Sequence, residues 1–180
     1  MAPDRVERLV EDFRLVRPDF NSANKEVAAR LLHLSDLVGR YYGSIGDRFG
    51  VSLSGMSVMT ALARSAPREL TLSELNRDIL VTSGGITFVA ARLEGLGFLT
   101  KRSNPADGRA VLVQLTENGR LAADELITEI ARADSIALGA FDSEDLSAIN
   151  SLLRALESRF DAALTEPDDQ ELASKNQPFA

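Results

Sequence analysis

The sequence predicts a mainly α fold with a small β-hairpin wing, and three observations carry that prediction. Apolar residues recur in threes and fours through most of the 180 residues, the mark of buried helix faces. Period-two alternation is confined to one stretch, where Val111, Val113 and Leu115 alternate with Leu112 and Gln114 as in a half-buried strand. Just ahead of it, Asn104-Pro105-Ala106-Asp107-Gly108 is strong turn chemistry.

Taken in order, Asp4 to Arg17 is an amphipathic helix with Val6, Leu9, Val10 and Phe13 on one face, and Pro18 ends it. A longer helix starts near Ser22 and carries Val27, Leu31, Leu34, Val38, Tyr41 and Ile45. Gly39, Gly43 and Gly46 each weaken its far half by about 1 kcal/mol relative to Ala. Met56, Val58, Met59 and Leu62 follow a Ser52 cap and form a short helix closing the core. Thr71 and Glu74 make a capping box for the next helix, which places Leu72, Leu75 and Ile79 on one side. After a turn at Val81 to Ser83, Ile86, Val89, Ala90 and Leu93 define the buried face of another helix. Thr82 or Ser83 is its expected cap, Gly84 and Gly85 leave its start without side-chain bulk, and Gly97 stops it. Beyond the hairpin, Thr116 caps a long helix with Ala123, Leu126, Ile127, Ile130 and Ala137 along one stripe, and Phe141 and Asp142 break it. Asp142 or Ser143 caps a last helix bearing Leu146, Ile149, Leu153, Leu156 and Phe160.

Helix, tight turn, helix and hairpin in that order form a winged helix-turn-helix, whose second helix can enter a DNA major groove. The expected organisation is a helical dimerisation region over 1–50 and 116–164, a winged helix-turn-helix over 51–115 and a disordered tail over 165–180, which is polar and holds two prolines. The outer helices carry apolar stripes too long for so small a core, which suggests a two-fold interface between copies. A monomer whose helices cover one another is the alternative.

Composition narrows the function. The absence of cysteine excludes disulfides and thiolate metal sites, and a single histidine argues against a histidine-rich zinc site, so no cofactor is expected. No run of 18 apolar residues exists and charges interrupt Met1 to Leu15, so neither a membrane span nor a secretory signal is expected and the location is cytoplasmic. A net charge of -7 is unfavourable for binding DNA, whose affinity rests on neutralising phosphates. Its distribution answers part of the objection. From Gly55 to Arg120 eight Lys or Arg face six acids, so the acid excess lies elsewhere, mostly in the C-terminal third.

The stretch from Leu72 through Gly119, with LTLSEL, LVTSGGITFVAARLEGLGFLTKR and NPADGRAVLVQLTENG, closely resembles the MarR (multiple antibiotic resistance regulator) family. Asp107 and Arg109 match its D-x-R wing motif, and Leu115, Thr116 and Gly119 match the L-T-x-x-G that follows. The resemblance implies a transcription regulator, most simply a repressor. It further implies a homodimer with interlocked terminal helices, two winged units on a pseudo-palindrome of double-stranded DNA, and often a small aromatic or phenolic effector. The opening residues, with Arg17, Pro18, Asp19 and Arg30, resemble a branch with an extra N-terminal helix, some members of which respond to urate. Here the usual tryptophan of the first helix is Phe13, and an acid usual before Met59 to Leu62 is Ser57. Both departures point to a less polar ligand than urate, or to none.

For reading bases the candidates are Ser83, Thr87 and Phe88, with Gly84 and Gly85 permitting close backbone approach. The family's two residues after the Thr are frequently polar or basic; here they are Phe88 and Val89, which removes a contact worth about 1–3 kcal/mol of discrimination. Three assignments of Phe88 stay open: a contact to a thymine methyl, the sign of a weak DNA reader, or a buried core aromatic. Arg92 is assigned a salt bridge or a phosphate rather than a base. In the wing, Arg109 can reach a narrow minor groove, with Asp107 orienting its guanidinium, while Lys101 and Arg102 meet the DNA backbone. Candidate ligand residues are Phe13, Arg17, His33, Tyr41, Tyr42 and Ser57. The competing function is a winged module that contacts protein and binds DNA weakly or without specificity. An enzyme finds no support in the sequence, which lacks a nucleophilic cysteine, a phosphate-binding glycine loop and a convincing acid pair.

Overall fold

A computed structural model describes residues 2–65, 69–79 and 85–165. Contacts within the chain divide it into two compact units, Met1–Ala133 and Asp134–Ala180. The expected tail over 165–180 lies, but for Thr165, outside the described residues.

The first unit opens with α1 (Arg5–Val16), started by a capping box: the Asp4 carboxylate accepts from the N–H groups of Val6 and Glu7, and the Glu7 carboxylate accepts from the N–H of Asp4. Pro18 biases Arg17 away from helical geometry, and Arg17 closes the helix at φ -137, ψ 85. Val6 and Val10 are buried, and Leu9 and Phe13 are each about two-fifths exposed. The Arg30 guanidinium of α2 (Ser22–Arg48) ties the start of α1 down through Asp4 at 2.9 Å. Of the stripe predicted on α2, Ile45 is buried, but Val27, Leu34, Val38 and Tyr41 are exposed.

The three glycines of α2 are not alike. A Cβ on Gly39 or Gly43 would meet nothing within 4 Å, whereas one on Gly46 would lie 2.5 Å from the Val51 carbonyl oxygen and 2.7 Å from Met56 Sδ. Gly46 is therefore what lets α2 approach the turn into α3 (Leu53–Arg64), which Ser52 caps through the Gly55 N–H.

The core gathers around α3. Met59 and Leu62 pack with Leu75 of α4 (Leu72–Asp78), Leu93 of α5 (Ile86–Gly95), Leu99 of β2 (Leu99–Asn104), Val113 and Leu115 of β3 (Asp107–Leu115), and Leu126 of α6 (Glu117–Leu138). All are 2 % exposed or less. The predicted hairpin is joined by an unpredicted strand, β1 (Glu69–Thr71), giving an antiparallel sheet of order β1-β3-β2 with Leu70 opposite Val113 and Lys101 also opposite Val113. Three residues are too few to show a period, and their pairing is non-local. Thr71 ends β1 and caps α4 with the predicted Glu74 box, so one residue closes a strand and opens a helix.

Thr116 caps α6 as expected. Its hydroxyl accepts from the Gly119 N–H and donates to the Gly97 carbonyl, tying the helix to the base of the wing. In this unit Ala123, Leu126 and Ala133 of α6 are buried and Ile130 packs on the core, while Ile127 lies at the stripe's edge, 39 % exposed. Tyr41 donates to the Ala133 carbonyl and Arg48 pairs with Glu129, joining α2 to α6.

The second unit holds the end of α6, where Ala137 is exposed, and α7 (Ser143–Thr165). Asp142, rather than Ser143, caps α7 through the N–H groups of Glu144 and Asp145. No residue of α7 is buried, and Ile149, Leu152, Phe160 and Leu164 are exposed.

Candidate nucleic-acid interface

The buried face of α5 is the one its periodicity predicts: Val89, Ala90 and Leu93 are buried and Ile86 packs against the core. That fixes the opposite face. Thr87, Phe88, Ala91 and Arg92 are exposed, with Phe88 71 % accessible. Phe88 is thus not a core aromatic. Val89 points inward, so of the two departures from the family pattern only Phe88 stands where a base could be touched.

The start of α5 differs from expectation. Thr82 and Ser83, the predicted caps, and the candidates Ser83 and Gly84 lie outside the described residues. The N-cap is Gly85, at φ 101 and ψ 69, with no side-chain hydrogen bond to the first turn. A left-handed cap of this kind is costly for any L side chain, which accounts for a glycine there. With no capping side chain among the described residues, the start of α5 suits an anion.

Beside that helix start, α4 contributes residues the sequence reading did not single out. Ser73, Asn76 and Arg77 line a concavity shared with Gly85 and Thr87. All three are exposed. Their signal was present in the sequence: they occupy the outward positions of a helix whose inward ones are Leu72, Leu75 and Ile79.

In the wing, Pro105 and Ala106 make a tight turn between Asn104 and Asp107, with the Asn104 side chain accepting from the Ala106 N–H. Asp107 does not orient the Arg109 guanidinium as expected. Its carboxylate accepts from the Arg109 backbone N–H at 3.0 Å, an Asx-type turn that shapes the strand's entry. Arg109 is exposed, and among the described residues neither it, Arg92 nor Arg77 takes part in an ion pair. Lys101 and Arg102 differ in this respect. Lys101 is half-buried and paired with Glu94 at 2.9 Å; Arg102 is paired with Glu69 at 2.6 Å. Such pairs contribute about 0–1 kcal/mol, weak enough to exchange for a phosphate.

The predicted ligand residues are not brought together. Phe13 stacks on Phe20 at 5.4 Å, under the Lys25 ammonium at 4.7 Å. Arg17 makes a two-pronged contact to Asp19, which holds that carboxyl below its ordinary range. His33 lines a separate cleft between α1 and α2 with Arg5, Leu9 and Lys25. Tyr41 packs beside Tyr42, and the Ser57 hydroxyl is satisfied by the Leu53 carbonyl.

No family model matches the chain. Over 153 residues, 84 % of this chain and 92 % of the relative, it is 24 % identical to the HTH-type transcriptional regulator PecS of Dickeya dadantii. A crystal structure of an E. coli MarR variant complexed with operator DNA aligns with a TM-score of 0.62 at 19 % identity, covering 80 % of this chain and 96 % of that one. The chain has the winged helix-turn-helix fold of MarR-family regulators. A further neighbour in fold is Bordetella bronchiseptica BpsR, in a structure concerned with regulation of its DNA binding by 6-hydroxynicotinic acid. It aligns with a TM-score of 0.64 at 21 % identity over 73 % of this chain and 92 % of that one. The curated relatives that the chain matches are transcription regulators and not enzymes. Among its described residues no helix is long and apolar enough to cross a membrane.

Proposed function

We propose that the chain is a homodimeric transcription regulator, most simply a repressor, that binds a pseudo-palindromic operator in double-stranded DNA. The observation that supports this is the exposure of three cations, Arg77 on α4 beside Thr87, Arg92 on α5 itself and Arg109 in the wing, none ion-paired among the described residues. Arg77 and Arg92 meet phosphates, Arg109 enters the minor groove, and Thr87 and Phe88 face the bases. Ser83, Gly84 and Gly85 bring the helix start close to the backbone, Asp107 sets the wing's shape, and Lys101 and Arg102 exchange acidic partners for phosphate.

The regions 1–50 and 116–164 dimerise, as the exposed apolar residues on α1, α2 and α7 support. The regulator works in the cytoplasm, where its DNA is. Its effector is a small aromatic or phenolic molecule, by analogy with the regulation of BpsR. Footprinting on the DNA upstream of the protein's own gene, with sedimentation to give the oligomer, tests this. Two protected half-sites about 10 base pairs apart centre to centre, or a multiple, and a dimer are expected; a monomer, or protection without half-sites, refutes it. The exposed Phe88 favours the second reading, a protein-docking module, which predicts equal and weak affinity for every duplex.

A further inference from the structure

Phe88 is left in water by the fold, on the face of α5 opposite its buried side. It cannot turn inward, because Val89, Ala90 and Leu93 already fill the buried side. Its outward neighbours are Thr87, Ala91 one turn on, and then Arg92. From Thr87 to Ala91 the outward face thus presents the methyl and hydroxyl of threonine, a phenyl and a second methyl, without an amide or guanidinium to read a base by paired hydrogen bonds. The cations stand around this apolar strip rather than in it, with Arg77 sharing a concavity with Thr87 and Arg92 following Ala91. An apolar strip flanked by cations that make no ion pair among the described residues matches a polyanion that carries apolar groups between its charges. The major groove has one such group, the C5-methyl of thymine, and Phe, Ala and the Thr methyl are the side chains that contact it.

We propose that α5 reads its half-site through 5-methylpyrimidines, with Phe88 and Ala91 seated on thymine methyls and hydrogen bonding to base edges secondary. This rests on the DNA-binding function proposed above. It makes Phe88 the specificity-determining residue, and it makes recognition blind to the groups by which A, G and C are usually told apart at those positions.

The test begins with the duplex that the protein retains most tightly from a random library, compared with a scrambled duplex of the same composition. Uracil then replaces every thymine of its half-sites, a change that deletes only the methyl and keeps the base pairing. Burying one methyl corresponds to about fourfold in affinity, from ~0.8 kcal/mol, so two half-sites that each lose one methyl weaken by roughly fifteenfold, and by more where Phe88 and Ala91 each hold a separate methyl. Fluorescence anisotropy should show that loss for the native protein. Phe88→Ala should keep only the part of the discrimination that Ala91 supplies, and Phe88→Leu should keep more. Circular dichroism of the variants checks the fold, which an exposed side chain should not disturb. Equal affinity of the native protein for both duplexes, with its preference over the scrambled one intact, overturns the methyl readout and leaves the regulator standing. A library that yields no preferred duplex overturns both.

Discussion

Gly43 and Gly46 lie one helical turn apart in α2, and replacing either by Ala gains about 1 kcal/mol of helix propensity. Their surroundings reverse the outcome at one of them. At Gly43 the added methyl meets nothing within 4 Å, so the gain stands. At Gly46 it would press on the Val51 carbonyl oxygen at 2.5 Å and on Met56 Sδ at 2.7 Å. Met56 is 2 % exposed and has little space to yield. Val51 is held by its own N–H, which donates to the Gly46 carbonyl at 3.0 Å, so moving its backbone strains the bond that forms the turn. Overpacking costs about 1–3 kcal/mol and the weakened hydrogen bond about 1 kcal/mol, against the same propensity gain. Gly46→Ala should therefore lose about 1–3 kcal/mol and Gly43→Ala gain about 1 kcal/mol. For a chain of this size the two melting temperatures should separate by about 5–15 °C. Far-UV circular dichroism melts at one protein concentration measure this, concentration being fixed because dimerisation would shift both midpoints. Equal shifts in one direction would refute the account of how α2 meets α3.

Leu93, 1 % exposed, anchors α5 to the core, and Leu93→Ala should cost about 2–5 kcal/mol in urea unfolding; a loss under 1 kcal/mol would mean that α5 is not held where it stands. Thr116→Val keeps the side chain's shape but removes the hydroxyl shared by Gly119 and Gly97, and should lower stability by about 1–2 kcal/mol, whereas Thr116→Ser should lose much less. The Asp4 carboxyl is held below its ordinary value of 3.8, first by the Glu7 N–H and then by Arg30. A depressed carboxyl stabilises the fold above its unfolded value and loses that contribution as pH falls through its folded value. The protection of α1 amides relative to their intrinsic exchange rates should accordingly be high at neutral pH and fall below about pH 4 before the core opens, and Asp4→Ala should show low protection already at pH 7.

Much of the fold was legible because its signals are local. Asp142 and the helix caps at Ser52, Thr71 and Thr116 each act within three residues of themselves, so the sequence that encodes them also displays them. What escaped depended on distant partners. β1 exists because Glu69 to Thr71 meet Leu112 to Gln114, which no local pattern announces. Gly46 looked like Gly39 and Gly43 until Val51 and Met56 were placed against it. At the interface, helical periodicity located the outward face of α5 correctly, yet left Phe88 undecided, since an aromatic next to a buried stripe can lie on either side of its edge. Asp107 was placed in the right turn with the wrong partner, because a carboxylate two residues before an arginine can reach its backbone N–H more readily than its guanidinium. The candidate ligand residues were joined by residue type and expected position rather than by a local pattern, and the chain sets Phe13, His33 and Ser57 in different surroundings.

The central claim is that the cations around α5 and in the wing hold DNA and that the face between them selects a sequence. Fluorescence anisotropy with the preferred duplex and a scrambled one, across a salt series, tests it most directly. Affinity for the preferred duplex should exceed that for the scrambled one by about a thousandfold or more at physiological salt. It should fall linearly on logarithmic axes as salt rises, and Arg109→Ala should flatten that slope by about one unit while weakening binding. Equal, weak affinity for both duplexes, unchanged by Arg109→Ala, would contradict the claim.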